Sequence, residues 1–72
     1  MKENGNNIKI SVGNNIRKLR IKQNISQNQL AYETGISREF INKVENGKCN
    51  ISLEKLALIC DALGVSAQKL FD

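Results

Sequence analysis

Two short amphipathic stretches, residues 27–34 and 38–45, are connected only through Thr34-Gly35-Ile36-Ser37. Two helices cannot lie side by side as an antiparallel hairpin through so short a connection. They must cross steeply, with Gly35 taking the irregular backbone of the turn. Ala31 is small where the two backbones have to approach. Whatever else the chain forms has to pack around that crossing.

Serine and glycine punctuate the rest. Ser26, Ser37, Ser52 and Ser66 each precede an amphipathic stretch, where a hydroxyl can satisfy an orphan amide of a first helical turn, and Ser11 is a weaker fifth. Gln29 stands three residues after Ser26, a capping-box spacing. Gly35, Gly47 and Gly64 follow helices closely. The expected elements are five short helices at about 12–23, 27–34, 38–45, 53–63 and 67–71, an all-α, compact five-helix bundle. Residues 1–10 (MKENGNNIKI) are Asn-rich and without helical periodicity, so a flexible arm is expected there, followed by a single domain over residues 11–72.

The apolar stripes are Val12, Ile16 and Leu19 on the first helix, Phe40, Ile41 and Val44 on the third, and Leu53, Leu56, Ala57, Ile59, Cys60 and Leu63 on the fourth. Leu58 and Ala62 fall outside the last arc, a stray pair or the mark of an interface. Arg20 borders the first stripe and Glu45 the third, so packing these helices together should bring the two charges into contact.

Composition narrows the chemistry. Among 72 residues there is no His, Trp or Pro, which removes imidazole general-base catalysis and His-ligated zinc. No metal, no cofactor and no enzymatic activity are expected. Cys49 and Cys60 form no CxxC pair, which fits a reducing, cytoplasmic setting, with Cys60 a small core residue. No apolar run approaches the roughly 20 residues needed to span a bilayer. Of 11 Lys and Arg against 7 Asp and Glu, six basic residues and one acidic residue lie in residues 1–30, so the front of the chain is strongly basic.

The stretch 38–45 carries the functional signal. Opposite its apolar side gather Arg38, Glu39, Asn42, Lys43 and Asn46. These types suit base edges: Arg and Lys the guanine acceptors, Asn adenine, Glu the cytosine amino group. With the short turn before it, this is a helix-turn-helix whose second helix reads a major groove. Gln27, at the start of the preceding helix, is placed to hold a phosphate, and Arg17 and Lys18 are further phosphate candidates.

The run Ser26-Gln27-Asn28-Gln29-Leu30-Ala31, then Gly35-Ile36-Ser37 and Val44-Glu45-Asn46-Gly47 resembles the XRE family, the phage repressor and Cro-like helix-turn-helix domains. The resemblance covers about residues 12–71. It implies a five-helix bundle that binds double-stranded operator DNA as a homodimer. It implies Gln27 on phosphate, Arg38, Glu39, Asn42 and Lys43 in the major groove, Asn46 and Lys48 near the backbone, and a partly buried Arg20–Glu45 ion pair. Asn50-Ile51-Ser52-Leu53 and the ending Leu70-Phe71-Asp72 are similar to the small controller proteins of restriction-modification systems. Lys48-Cys49 departs from the arginine that many such controllers carry there.

The expected function is therefore sequence-specific, DNA-binding transcriptional regulation from the cytoplasm or nucleoid. No membrane association and no small-molecule effector are expected, with control through the chain's own concentration. The alternative is an antitoxin-like protein-interaction module that sequesters a partner, which exposure of Leu58 would favour.

Overall fold

Serine hydroxyls begin the middle helices. In the computed structural model, which describes the backbone of residues 5–72 and side chains from Asn7 onward, Ser26, Ser37 and Ser52 are extended and accept hydrogen bonds from the amides of Gln29, Phe40 and Lys55. They open α2 (Gln27–Thr34), α3 (Arg38–Glu45) and α4 (Leu53–Leu63). Before them runs α1 (Gly5–Lys22), and after them a 3-10 turn, Ala67–Phe71, closes the fold. The last expected helix is thus a 3-10 turn, and Ser66 makes no side-chain cap. Five residues offer too few i to i+4 bonds to offset helix nucleation. Half of the expected capping box forms, because the Gln29 side chain turns forward to Glu33 at 2.7 Å.

The largest difference from expectation is at the N-terminus. α1 begins at Gly5 rather than near residue 12, which makes residues 5–10 of the expected arm helical and leaves Ser11 exposed in mid-helix, no cap at all. Residues 1–4 of that arm lie outside the described residues. Tertiary contact explains the extension: Ile10 lies against Gly47, whose φ is +69°, and a Cβ there would come within 2.8 Å of the Ile10 side chain. Gly47 therefore serves two ends, a left-handed turn and a seat for α1.

α1 crosses α3 at Gly13. A Cβ at this position would run into the Val44 carbonyl, so the two backbones touch where only glycine fits. A mid-helix glycine costs roughly 0.5–1 kcal/mol relative to alanine. The contact it permits sets the angle between the basic helix and the polar one.

The core draws on every element. Ile16, Leu30, Ile41, Ile59 and Leu70 are fully buried, one each from α1, α2, α3, α4 and the 3-10 turn. Two long-range bonds tie later elements to the front of the chain: Asn15 Nδ2 donates to the Leu70 carbonyl of the closing turn at 2.8 Å, and Gln23 Nε2 to the Leu63 carbonyl at the end of α4 at 2.7 Å. Cys60 is buried, and desolvation, helped by the nearby charge of Asp61, raises its thiol pKa. Leu53 and Ala57, expected in the α4 stripe, are exposed, Leu53 at 82%. Leu56, Ile59, Cys60 and Leu63 already fill the core-facing stripe, and Ala57 sits about 100° round the helix from Leu56.

The turn between α2 and α3 is closed by its own polar groups. The amide of Gly35, at φ +73°, donates to Ala31 O, while buried Thr34 donates its hydroxyl to Leu30 O and accepts from the amide of Ile36. Buried Ile36 anchors the turn in the core. With its groups thus paired, the crossing is stiff rather than hinged.

Candidate nucleic-acid interface

α3 is sharply two-sided. Ile41 and Val44 are buried, Phe40 is half-buried, and Arg38, Glu39, Asn42, Lys43 and the capping Asn46 are exposed. The five polar residues expected on one face are therefore brought together on it. Phe40 is held from α4, where Lys55 Nζ lies 4.2 Å from the ring centroid.

Arg20 and Glu45 meet where α1 packs on α3. Arg20 Nε donates to Glu45 Oε2 at 2.7 Å and Nη2 to Oε1 at 2.9 Å, a two-pronged pair. Arg20 Nη1 donates onward to the Ile25 carbonyl at 2.8 Å. Glu45 is only 4% exposed, deeper than a border position suggests, and it accepts a third bond from Gln27 Nε2 at 3.0 Å. The hydrogen bond to Glu45 raises the Arg20 pKa against the opposing effect of burial, so the guanidinium stays charged at any accessible pH. The pair braces the base of the polar face.

Gln27 and Asn46 are tied to that face. Gln27 Nε2 also lies 3.4 Å from Asn42 Oδ1, and Asn46 Nδ2 donates both to Asn42 Oδ1 at 3.0 Å and to the Asn42 carbonyl at 2.8 Å. Arg17 and Lys18 are exposed on α1, and Lys48 is exposed in the turn after α3, its amide bonded to Lys43 O. Sequence reasoning did not single out Gly13 or the hydroxyl of Thr34. A glycine inside an otherwise periodic helix was the available signal for Gly13, since it usually marks close packing.

Among the described residues, no group of His, Cys, Asp or Glu is placed to hold a metal ion, and no helix is long and apolar enough to cross a membrane.

The chain matches the helix-turn-helix family over residues 16–70. It is 40% identical over 68 residues to the control protein C.BamHI of Bacillus amyloliquefaciens, spanning 93% of this chain and 84% of that one. The crystal structure of the restriction-modification controller protein C.AhdI from Aeromonas hydrophila is similar at a TM-score of 0.85 and 32% identity, covering 88% of this chain and 96% of that one. The controller protein C.Esp1396I, solved as a tetramer in complex with its natural 35 base-pair operator, is similar at a TM-score of 0.80 and 30% identity, over 89% and 84% of the two chains. With its capped polar helix, its short crossing turn and these likenesses, the chain belongs to the XRE-type helix-turn-helix family of DNA-binding transcription regulators, which are not enzymes.

Proposed function

We propose that this regulator acts in the cytoplasm as the controller of a restriction-modification operon, binding operator DNA as a homodimer with α3 in the major groove. The observation that carries the reading is the exposed face of Arg38, Glu39, Asn42 and Lys43, standing on a short helix whose other side is locked into the core. Arg38, Glu39, Asn42 and Lys43 read base edges. Gln27 at the α2 N-terminus, Lys48, Arg17 and Lys18 approach phosphates, whereas the side-chain donors of Asn46, expected there as well, are held by Asn42. The operon assignment is supported by the control proteins among the relatives, one of which the chain matches over 84% of its length.

The dimer is supported by a second face. Behind α3, Ile8, Val12, Val44, Ile51, Leu53 and Leu56 line an apolar cleft of about 340 Å³, bordered by Phe71. Leu53 at 82% and Phe71 at 57% exposure stand ready to be covered by a second copy. Val44 lines the cleft from the side of α3 opposite Asn42 and Asn46, so pairing there leaves the polar face free.

Selection from random duplexes, followed by titration over a range of salt, tests the reading. The expected result is a two-fold site with half-sites about 10 base pairs apart or a multiple of it, and a steep fall of affinity with salt. Absence of any preference over random duplex, or a flat salt dependence, overturns it. Sequestration of a partner protein is the second reading, favoured by Leu58 at 44% exposure; strong operator binding by the isolated chain counts against it.

A further inference from the structure

We propose that Asn42 reads guanine rather than adenine, because Gln27 and Asn46 occupy its amide oxygen and leave it only donors to offer. This rests on the reading of α3 as the base-reading helix and assigns one contact within it.

An asparagine that pairs with adenine must use both ends of its amide, the oxygen for the N6 amino group and the nitrogen for N7. In this protein the oxygen is already committed. The sequence of constraints begins in the core. Glu45 is a buried carboxylate whose two oxygens accept from Arg20, and the neighbouring amide of Gln27 must turn its nitrogen toward it, since its oxygen would set two acceptors against each other. The second hydrogen on that nitrogen is then directed at Asn42 Oδ1, 3.4 Å away.

From the other side Asn46 is oriented just as firmly. Its Nδ2 faces the Asn42 backbone carbonyl at 2.8 Å, which can only accept. The same nitrogen lies 3.0 Å from Asn42 Oδ1. Two donors thus converge on one oxygen with two lone pairs. Turning the Asn42 amide over would place its own N–H groups against both of them.

Asn42 Nδ2, by contrast, makes no hydrogen bond to any described residue, and the side chain is exposed. Two N–H groups project from the centre of the reading face. Guanine answers them with two adjacent acceptors, N7 and O6. Adenine supplies N7 but sets its N6 donor where no acceptor remains, and cytosine presents only a donor. Gln27 and Asn46 are accordingly positioning residues for Asn42. The side-chain donors of Gln27 are spent internally, so its phosphate contact falls to the backbone amides of the α2 N-terminus.

Base preference, rather than affinity, is the measurement that tests this. Selection from a random duplex pool is run with the wild type, Asn42→Ala, Asn42→Asp and the double variant Gln27→Ala with Asn46→Ala, each shown to be folded by circular dichroism. The wild type should select guanine at one position per half-site by roughly tenfold over adenine, and Asn42→Ala should lose selection at that position alone. Asn42→Asp keeps the oxygen that accepts from Gln27 and Asn46 but has no donors, and should lose guanine there. The double variant frees the amide to turn and should bring adenine to within about threefold of guanine. Adenine at the position lost by Asn42→Ala, guanine surviving in Asn42→Asp, or an unchanged guanine preference in the double variant each overturns the proposal. Selection intact at every position in Asn42→Ala also overturns it while leaving operator binding standing. Only a folded wild type with no selection anywhere removes the underlying reading as well.

Discussion

The two sides of α3 are prepared for different partners. On one side Arg20, Glu45, Gln27, Asn42 and Asn46 form a continuous run of hydrogen bonds, so the polar face is ordered before anything binds. On the other, Val44 lines a cleft bordered by apolar side chains that are still exposed. The polar side needs no partner to hold its shape, because its costly member, the buried carboxylate, is satisfied within the chain. The apolar side is left partly uncovered by the described residues and has much to gain from a second apolar surface. On the proposed reading, discrimination between sequences is prepared within one chain, and affinity awaits assembly.

The largest effect should come from breaking the ordered side at its base. Arg20→Ala or Glu45→Ala should each lower stability by about 3 kcal/mol, chiefly by stranding the other charge. Replacing both with apolar residues should cost clearly less than the sum of the two, as urea unfolding of the three variants would show. Additive losses, or single variants as stable as the wild type but unable to bind DNA, would move Arg20 from the scaffold to the phosphate backbone.

Removing the apolar side comes next. Leu53→Ser combined with Phe71→Ser should leave the monomer's unfolding free energy within about 0.5 kcal/mol, since neither side chain is deep in the core. The dimer dissociation constant, read by sedimentation equilibrium, should rise by at least about tenfold. An unchanged constant would show that the second copy sits elsewhere.

Smaller effects separate the residues of the polar side from one another. Arg38→Ala should weaken operator binding by about 1–3 kcal/mol and relax base preference at one position of each half-site. Lys18→Ala should weaken all duplexes alike by less than about 1 kcal/mol and reduce the slope of log K against log salt by about one unit. If the two variants gave the same selection profile, the division between base-reading and phosphate-contacting residues would fall.

Much of this arrangement was legible in the residues because it is local. A serine hydroxyl reaches an amide three residues on, whatever the rest of the chain does, and α2, α3 and α4 begin where Ser26, Ser37 and Ser52 placed them. Likewise Gly35, Gly47 and Gly64 all adopt positive φ, as their places after helices implied. Periodicity at 100° per residue was enough to put Arg38, Asn42 and Asn46 opposite Val44. It also put Arg20 and Glu45 at facing borders, and they meet.

What tertiary structure alone decided involves residues far apart in the chain. Residues 5–10 carry little helical signal of their own, and α1 extends through them onto a seat that Gly47 provides. Leu53 reads as core by its type but stands exposed at the rim of the cleft that Ile8, Val12 and Val44 line. The orientation of the Asn42 amide depends on Gln27, fifteen residues away, and through it on a carboxylate paired with Arg20, twenty-five residues away from Glu45. Caps and stripes follow from the chain's own repeat, so the sequence by itself determined which helices form and which face is polar. Which way an amide points depends on the donors and charges that packing brings beside it, and these exist only once α1, α2 and α3 have met.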